Sequence, residues 1–424
     1  MSGPTSGGNG NGAARPLAGI RVVDLTRMLS GPFCTYVLAD LGTDIVKVEE
    51  PGIGDPTRTF PPHRNGQSHY FLSINRGKRS VTLDLKSTTG RDALRRLLAT
   101  ADVLVENFRP TALEGLGLGA EQLAEEFPDL IVCALSGFGL HNELEDKVSL
   151  DIVSQAMTGV MSINGERAGP PMRLGLPMGD LAGALYAVIA ILAALMGRER
   201  SGERRGMAID LSLQDSLVAL LGYYATYADV TGAAPVRSGS GHLTGAPYGA
   251  YEASDGFFVL AAFTDSMWPS TCWAIGREDL VDDPRFCEMT ARLAHKDLLD
   301  EMLREIFATN TRDHWVQRFD QHHIPAGPVL DVMDVLHDDH LRQRGMILDT
   351  EHPVYGSFRS IGDPLPFGRA SGTQLPAPPI LGEHTEEVLT ELGYSEDEIA
   401  DVVRAGSLRI GSAAGRSGAS EASA

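Results

Sequence analysis

The sequence predicts an α/β fold built on a parallel sheet, and three observations predict it. From Ile20 to Leu135, short apolar runs of strand length alternate with stretches of helix length and helical spacing. The apolar runs are nearly continuous, as in strands buried on both faces. The chain of 424 residues is 43% hydrophobic and 22% charged, enough to bury a large core without disulfide or metal staples.

Each element has a local reason. Ile20–Leu25 is the first strand, and Ser30-Gly31-Pro32 opens a helical pattern through Leu41, where Gly42 supplies a stop. Residues 44–48 form a second strand, which ends at Glu49 and Glu50. Residues 80–85 alternate as a strand, residues 88–99 are helical, and residues 103–105 and 130–135 complete the strand–helix–strand pattern. Leu181–Gly197 is uncharged and apolar until Arg198-Glu199-Arg200 ends it. It sits at the bottom of the membrane-spanning range and carries two glycines, so the expectation is a buried core helix.

After Ala225 the texture changes. A Gly-rich loop at 237–245 precedes a strand at 257–263 and helices around 267–275, 296–308 and 312–320. The expected organisation is a tail at 1–15, a large domain over 16–224 and a smaller one over 225–330. A segment at 331–405, with an acidic amphipathic helix at 383–392, returns to the large domain, and a second tail covers 406–424. The first tail is too rich in Gly, Ser and Asn, and the second in Gly, Ser and Ala, to bury a core, and both are expected to be disordered.

Charge and cysteine content narrow the function. Net charge is −20, which argues against nucleic acid as a partner. Residues 1–110 nevertheless hold fourteen Lys and Arg against ten Asp and Glu, so this part could keep a local site for an anion. Ordinary solvated surface charge is the alternative. The four cysteines form no CxxC pair, and the N-terminus carries no secretory pattern, so a cytoplasmic protein with reduced thiols is expected, not a membrane protein.

Several chemistries lack their motif. The first strand–helix turn, Thr26 to Pro32, has no dinucleotide fingerprint, and neither GxSxG nor a phosphate-binding lysine loop occurs. In His337-Asp338-Asp339-His340 only the two histidines share a helical face, so no metal centre is expected. Asp180 is the carboxylate that stands out, because it directly precedes the apolar helix. One reading is a helix cap, worth about 1 kcal/mol. The other is a carboxylate nucleophile, kept ionised by the helix N-terminus and open to a ligand.

The motifs also carry a resemblance. Residues 16–26 (PLAGIRVVDLT), Ser30-Gly31-Pro32, residues 38–44 (LADLGTD), Lys47-Val48-Glu49 and residues 54–58 (GDPTR) occur in one order. They are followed by residues 75–80 (NRGKRS), 105–110 (VENFRP), Gly179-Asp180, the 206–211 stretch, Pro247-Tyr248, residues 340–346 (HLRQRGM) and residues 381–385 (LGEHT). This set resembles the class III CoA-transferases, a family that includes the α-methylacyl-CoA racemases, over about Pro16 to Val403. The resemblance implies a Rossmann-like large domain built from both chain ends, a smaller inserted domain and an interlocked homodimer. It makes Asp180 the catalytic aspartate and places Arg58, Lys78, Arg79, Asn107, Phe108 and Arg109 in regions that contact CoA. It also likens the loop carrying Gly239 and Gly241 to a mobile cover over the acyl group.

The racemase branch needs a His before an Asp where this chain reads Ser149-Leu150-Asp151; Leu150 cannot exchange a proton, and His141 lies too far upstream. Transfer is therefore expected over racemisation, with a silent acyl-CoA-binding homologue as a further alternative. The implied substrates are an acyl-CoA thioester and a small carboxylic acid, with no bound cofactor. The position occupied by Gln in oxalate-using relatives is Leu29, beside Ser30. Arg27 and Arg173 are candidate anchors for a second carboxylate, which would suit succinyl-CoA.

Overall fold

The computed structural model describes residues 15–203, 205–365, 367 and 375–404; apart from Arg15, the tails expected at 1–15 and 406–424 lie outside them. The chain is a mixed α/β protein whose central sheet has six parallel strands. They are β1 (Arg21–Asp24), β2 (Asp44–Glu49), β3 (Lys78–Thr82), β4 (Val103–Glu106), β5 (Ile131–Ser136) and β6 (Met207–Ser212). Their order is β3-β2-β1-β4-β5-β6, so the winding direction reverses between β1 and β4.

Near-continuous apolar strands make two cores. Successive residues of β1, Val22 and Val23, are both fully buried and enter different clusters on the two faces. On one face Val23, Val46, Val81 and Leu104 pack with α2 (Thr88–Leu98), whose cap is Ser87, accepting the Gly90 N–H at 2.9 Å. On the other, Val22, Ile45, Val105 and Cys133 pack with α1 (Ser30–Asp40) and α3 (Met178–Ser201). Helix α3 is long and apolar enough to cross a membrane, yet Ala184, Ala187 and Ile191 are buried in this core. Helix α4 (Leu213–Leu220) packs on it. Each such buried aliphatic side chain contributes about 1.5–3 kcal/mol.

Three boundaries differ from the sequence expectation. Strand β3 begins at Lys78, not Ser80, and ends at Thr82, because β2 offers no rung beyond Glu49. Strand β6 was not anticipated; it is a half-exposed edge strand, so its apolar pattern is broken. The compact first unit comprises residues up to Ser154, Pro177–Leu220 and the chain from Asp339 onward. Residues 155–176, expected in the large domain, belong instead to the second unit with Leu221–Asp338. Hydrogen bonds tie that segment to the Gly-rich loop: Gly239 N–H donates to Gly165 O at 3.0 Å, and the Arg237 guanidinium donates to Glu166 O and Gly169 O.

The second unit has a three-stranded antiparallel sheet of β7 (Tyr248–Ala253), β8 (Gly256–Ala261) and β9 (Ala326–Pro328). Helices α5 (Trp268–Ala274), α6 (Lys296–Phe307) and α7 (Arg312–Gln321) cover it around Trp268, Phe258, Phe307 and Phe319. In the first unit, the returning segment forms a hairpin, β10 (Ile347–His352) and β11 (Gly356–Ile361). Helix α8 (Thr385–Glu391) then docks beside β3, where His384 N–H donates to Ser80 O and Thr385 Oγ1 accepts the Thr82 N–H.

Candidate active site

The winding reversal between β1 and β4 opens a crevice at the strands' carboxyl ends, the usual ligand position in such sheets. The turn leaving β1 is fixed by charge instead of glycine-rich geometry. Asp24 is fully buried; its Oδ1 accepts the Thr26 N–H and hydroxyl at 2.8 and 2.5 Å, and its Oδ2 accepts the Thr35 hydroxyl at 2.6 Å. Lys78 Nζ lies 3.2 Å from Asp24 Oδ2, and Lys47 Nζ lies 3.1 Å from Asp55 Oδ2 while donating to Thr26 O at 2.8 Å. Burial alone would raise the Asp24 pKa, but Lys47, Lys78 and the two hydroxyls hold it well below the carboxylate range. Burial pushes Lys78 down to about 8 against the pull of Asp24.

Two backbone features complete the turn. A Cβ at Gly31 would stand 2.3 Å from the Thr26 side chain, so only glycine permits this approach. Met28 adopts φ +70, rare for a side chain of its size, and its N–H points to Asp55 Oδ1 at 3.3 Å. Across the crevice, Asn107 bridges to the same turn in both directions: its Oδ1 accepts the Arg27 N–H at 2.9 Å, and its Nδ2 donates to Arg27 O at 2.8 Å. The Arg27 guanidinium lies over the Phe108 ring, 4.6 Å from its centre.

Asp180 opens into a cavity of about 380 Å³ that Arg27, Leu29, Ser30, Tyr70, Asn107, Phe108 and Arg109 also line. Its place in the helix differs from the expectation. Helix α3 starts at Met178, so Asp180 is the third residue of its first turn and caps nothing. The end is satisfied from elsewhere, because Asp151 Oδ1 accepts the Gly179 N–H at 2.7 Å. Capping by Asp151 leaves the Asp180 carboxylate available to the cavity. Nor is Asp180 held ionised at low pH. Burial first, and the Asp151 charge second, raise it to about 7. Tyr70, whose phenol is pushed up by burial and by Asp180, Asp55 and Asp151, stays neutral and can donate a hydrogen bond here.

A second cavity of about 320 Å³ lies at the ends of β1 to β4. It is lined by Leu25, Leu83, Leu85 and Lys86 and shares Arg27 and Phe108 with the first.

Most of the other candidates are held by partners within the fold. Lys78 is buried and bound to Asp24 and Pro32 O. Arg79 is bound to Asp44, Glu387 and Glu391. Arg58 is paired with the buried Glu49 and lies over the Phe71 ring. These three cations are thus paired with carboxylates within the fold. Arg173, in the second unit, donates to its own loop at Leu174 O and Gly175 O. Gly239 and Gly241 line a polar cavity of about 280 Å³ in that unit with Lys296 and Asp300, which are themselves paired.

Sequence reasoning missed Tyr70, which no motif marks, and Asp151, which stood beside the Leu150 it did weigh. Leu150 lines the Asp180 cavity, so no imidazole occupies that place.

Comparison with known proteins places the chain in a family. The family model for CoA-transferase family III matches residues 17–385. Human succinyl-CoA:glutarate CoA-transferase is 34% identical over 394 residues, covering 92% of this chain and 90% of that protein. Succinyl-CoA:mesaconate CoA-transferase of Haloarcula hispanica is 37% identical over 384 residues, covering 88% and 96%. Among solved structures, a CAIB/BAIF family protein from Brucella suis superposes with a TM-score of 0.80 at 35% identity, covering 89% of this chain and all of that one. The chain is therefore an enzyme that belongs to CoA-transferase family III.

Proposed function

We propose that the enzyme moves CoA from an acyl-CoA, with succinyl-CoA as donor, to a small carboxylic acid through covalent intermediates on Asp180. The observation that carries this reading is an uncapped aspartate facing a cavity at the crevice of the sheet. The names of the human and archaeal relatives, both succinyl-CoA transferases acting on dicarboxylic acids, support the donor. The linked cavities suit an extended thioester. The CoA nucleotide takes the one beside Leu25, Leu83 and Lys86, the pantetheine arm passes Arg27 and Phe108, and the thioester reaches Asp180.

The chemistry then balances without a cofactor. An Asp180 oxygen attacks the thioester carbonyl, the carbon–sulfur bond breaks, and CoA leaves as thiolate, so that a mixed anhydride between Asp180 and the acyl group remains. The thiolate attacks the Asp180 carbonyl, releasing the first carboxylate and leaving an aspartyl-CoA thioester. The acceptor carboxylate displaces the thiolate, which then attacks the acceptor's acyl carbon and returns Asp180 as carboxylate. Each tetrahedral intermediate needs a hydrogen-bond donor, and the Tyr70 hydroxyl is the side chain suited to it. The Gly179 N–H is already taken by Asp151. A homodimer of interlocked chains, with the large domain completed by both chain ends, belongs to the same reading.

Intact-mass spectrometry after mixing with succinyl-CoA tests it. The native chain should gain a CoA adduct that hydroxylamine removes, and Asp180→Ala should gain none. Tight CoA binding without any adduct would refute the covalent route and favour proton exchange or simple binding.

A further inference from the structure

Arg27 differs from the cations packed inside the first unit. Lys47, Lys78, Arg58, Arg76 and Arg79 each have a carboxylate partner within 3.2 Å. Among the described residues the Arg27 guanidinium meets the Phe108 ring and no carboxylate, and it faces the cavity that holds Asp180. Its position is also set in advance. The backbone of Arg27 is held at both N–H and C=O by Asn107, and the next residue sits in a left-handed conformation beside the buried Asp55. Such a backbone costs about 1 kcal/mol or more, and persists only where its surroundings over-determine it. Here the surroundings are a closed network of buried charge. The outcome is a guanidinium on a fixed backbone, stacked on Phe108 and lining the nucleophile's cavity, with Met28 and Leu29 forming an apolar wall beside it.

A planar cation held this way recognises a second carboxylate bidentately, and an apolar wall suits the methylenes between two carboxylates. Arg109 lines the same cavity and is exposed, as Arg27 is, but among the described residues no aromatic ring packs against it. We propose that Arg27 is the specificity-determining residue that binds the distal carboxylate of a dicarboxylic acid whose other carboxylate reacts at Asp180. This rests on the covalent CoA-transfer reading above and adds the substrate class to it.

The test isolates the acceptor step. The enzyme is first charged with succinyl-CoA, and discharge of its CoA adduct by glutarate or by valerate is then followed by intact mass. Arg27→Gln should lower the second-order rate for glutarate about 10- to 100-fold and change that for valerate by less than about threefold. Arg27→Lys, which keeps the charge but not the fork, should fall between. Equal losses for both acids would overturn the proposal, as would a native enzyme that discharges to valerate as fast as to glutarate. A loss confined to the KM for the CoA thioester would also overturn it and assign Arg27 to CoA. Failure of the native enzyme to charge at all would instead refute the covalent reading beneath it.

Discussion

At the scale of single residues, the state of Asp180 is decided by its surroundings. A carboxylate nucleophile must be ionised, so a pKa near 7 places the ionisation within the working range. The rate of adduct formation with succinyl-CoA is therefore expected to rise with pH through about 7 as one ionisation. Asp151→Asn keeps an oxygen for the Gly179 N–H but removes the charge, so the midpoint should move down by less than a unit, burial being the larger cause. An upward movement would contradict this electrostatic account. The same shift has a stability consequence of fixed sign. The folded pKa is raised, so the folded chain binds the proton more tightly, and stability is lost as pH rises from about 4 toward 7. Asp180→Asn should thus unfold at higher denaturant than the native chain at pH 8, by about 1–2 kcal/mol, and with little difference at pH 4. The sequence could single out Asp180 but could not give its role in the helix, because the residue that frees it, Asp151, lies on another segment.

At the scale of elements, the turn after β1 shows what a sequence hides. The strand and the helix were legible from apolar spacing and from Ser30-Gly31-Pro32. That the turn is pinned by Asp24, Lys47, Asp55 and Lys78 was not, since these lie on three strands and a loop distant in sequence. A sequence shows charge without showing its partner. In a parallel sheet covered on both faces, a lysine on β3 points into a core, and only an acidic neighbour makes that tolerable. Lys78→Met would leave Asp24 without its 3.2 Å partner, and it should cost about 3–5 kcal/mol in denaturant unfolding. A variant with native stability but weakened CoA binding would show instead that Lys78 meets the ligand.

At the scale of the whole molecule, the strand order brings the β1 and β4 turns to one crevice, and both turns line the cavity that holds Asp180. The alternation of strands and helices made that much legible; the second unit's claim on residues 155–176 was not, because hydrogen bonds to a remote loop set it. The surface carries one more signal. Along α3, Leu185, Ile189 and Met196 are 48%, 59% and 62% exposed, although their helix supplies a core on its other side. These positions recur at helical spacing and make an apolar stripe of a kind that monomers rarely leave bare. A second copy of the chain is the occupant expected from the proposed homodimer. Sedimentation should find a dimer at micromolar concentration. Ile189→Glu combined with Met196→Glu should shift it to monomer or to insoluble chain, while single exposed substitutions elsewhere, such as Lys86→Glu, should leave it intact. The charged pair would have to be desolvated in any interface along this stripe, so the loss of assembly should be large. A native monomer, or an unaltered dimer in the double variant, would exclude α3 from the interface.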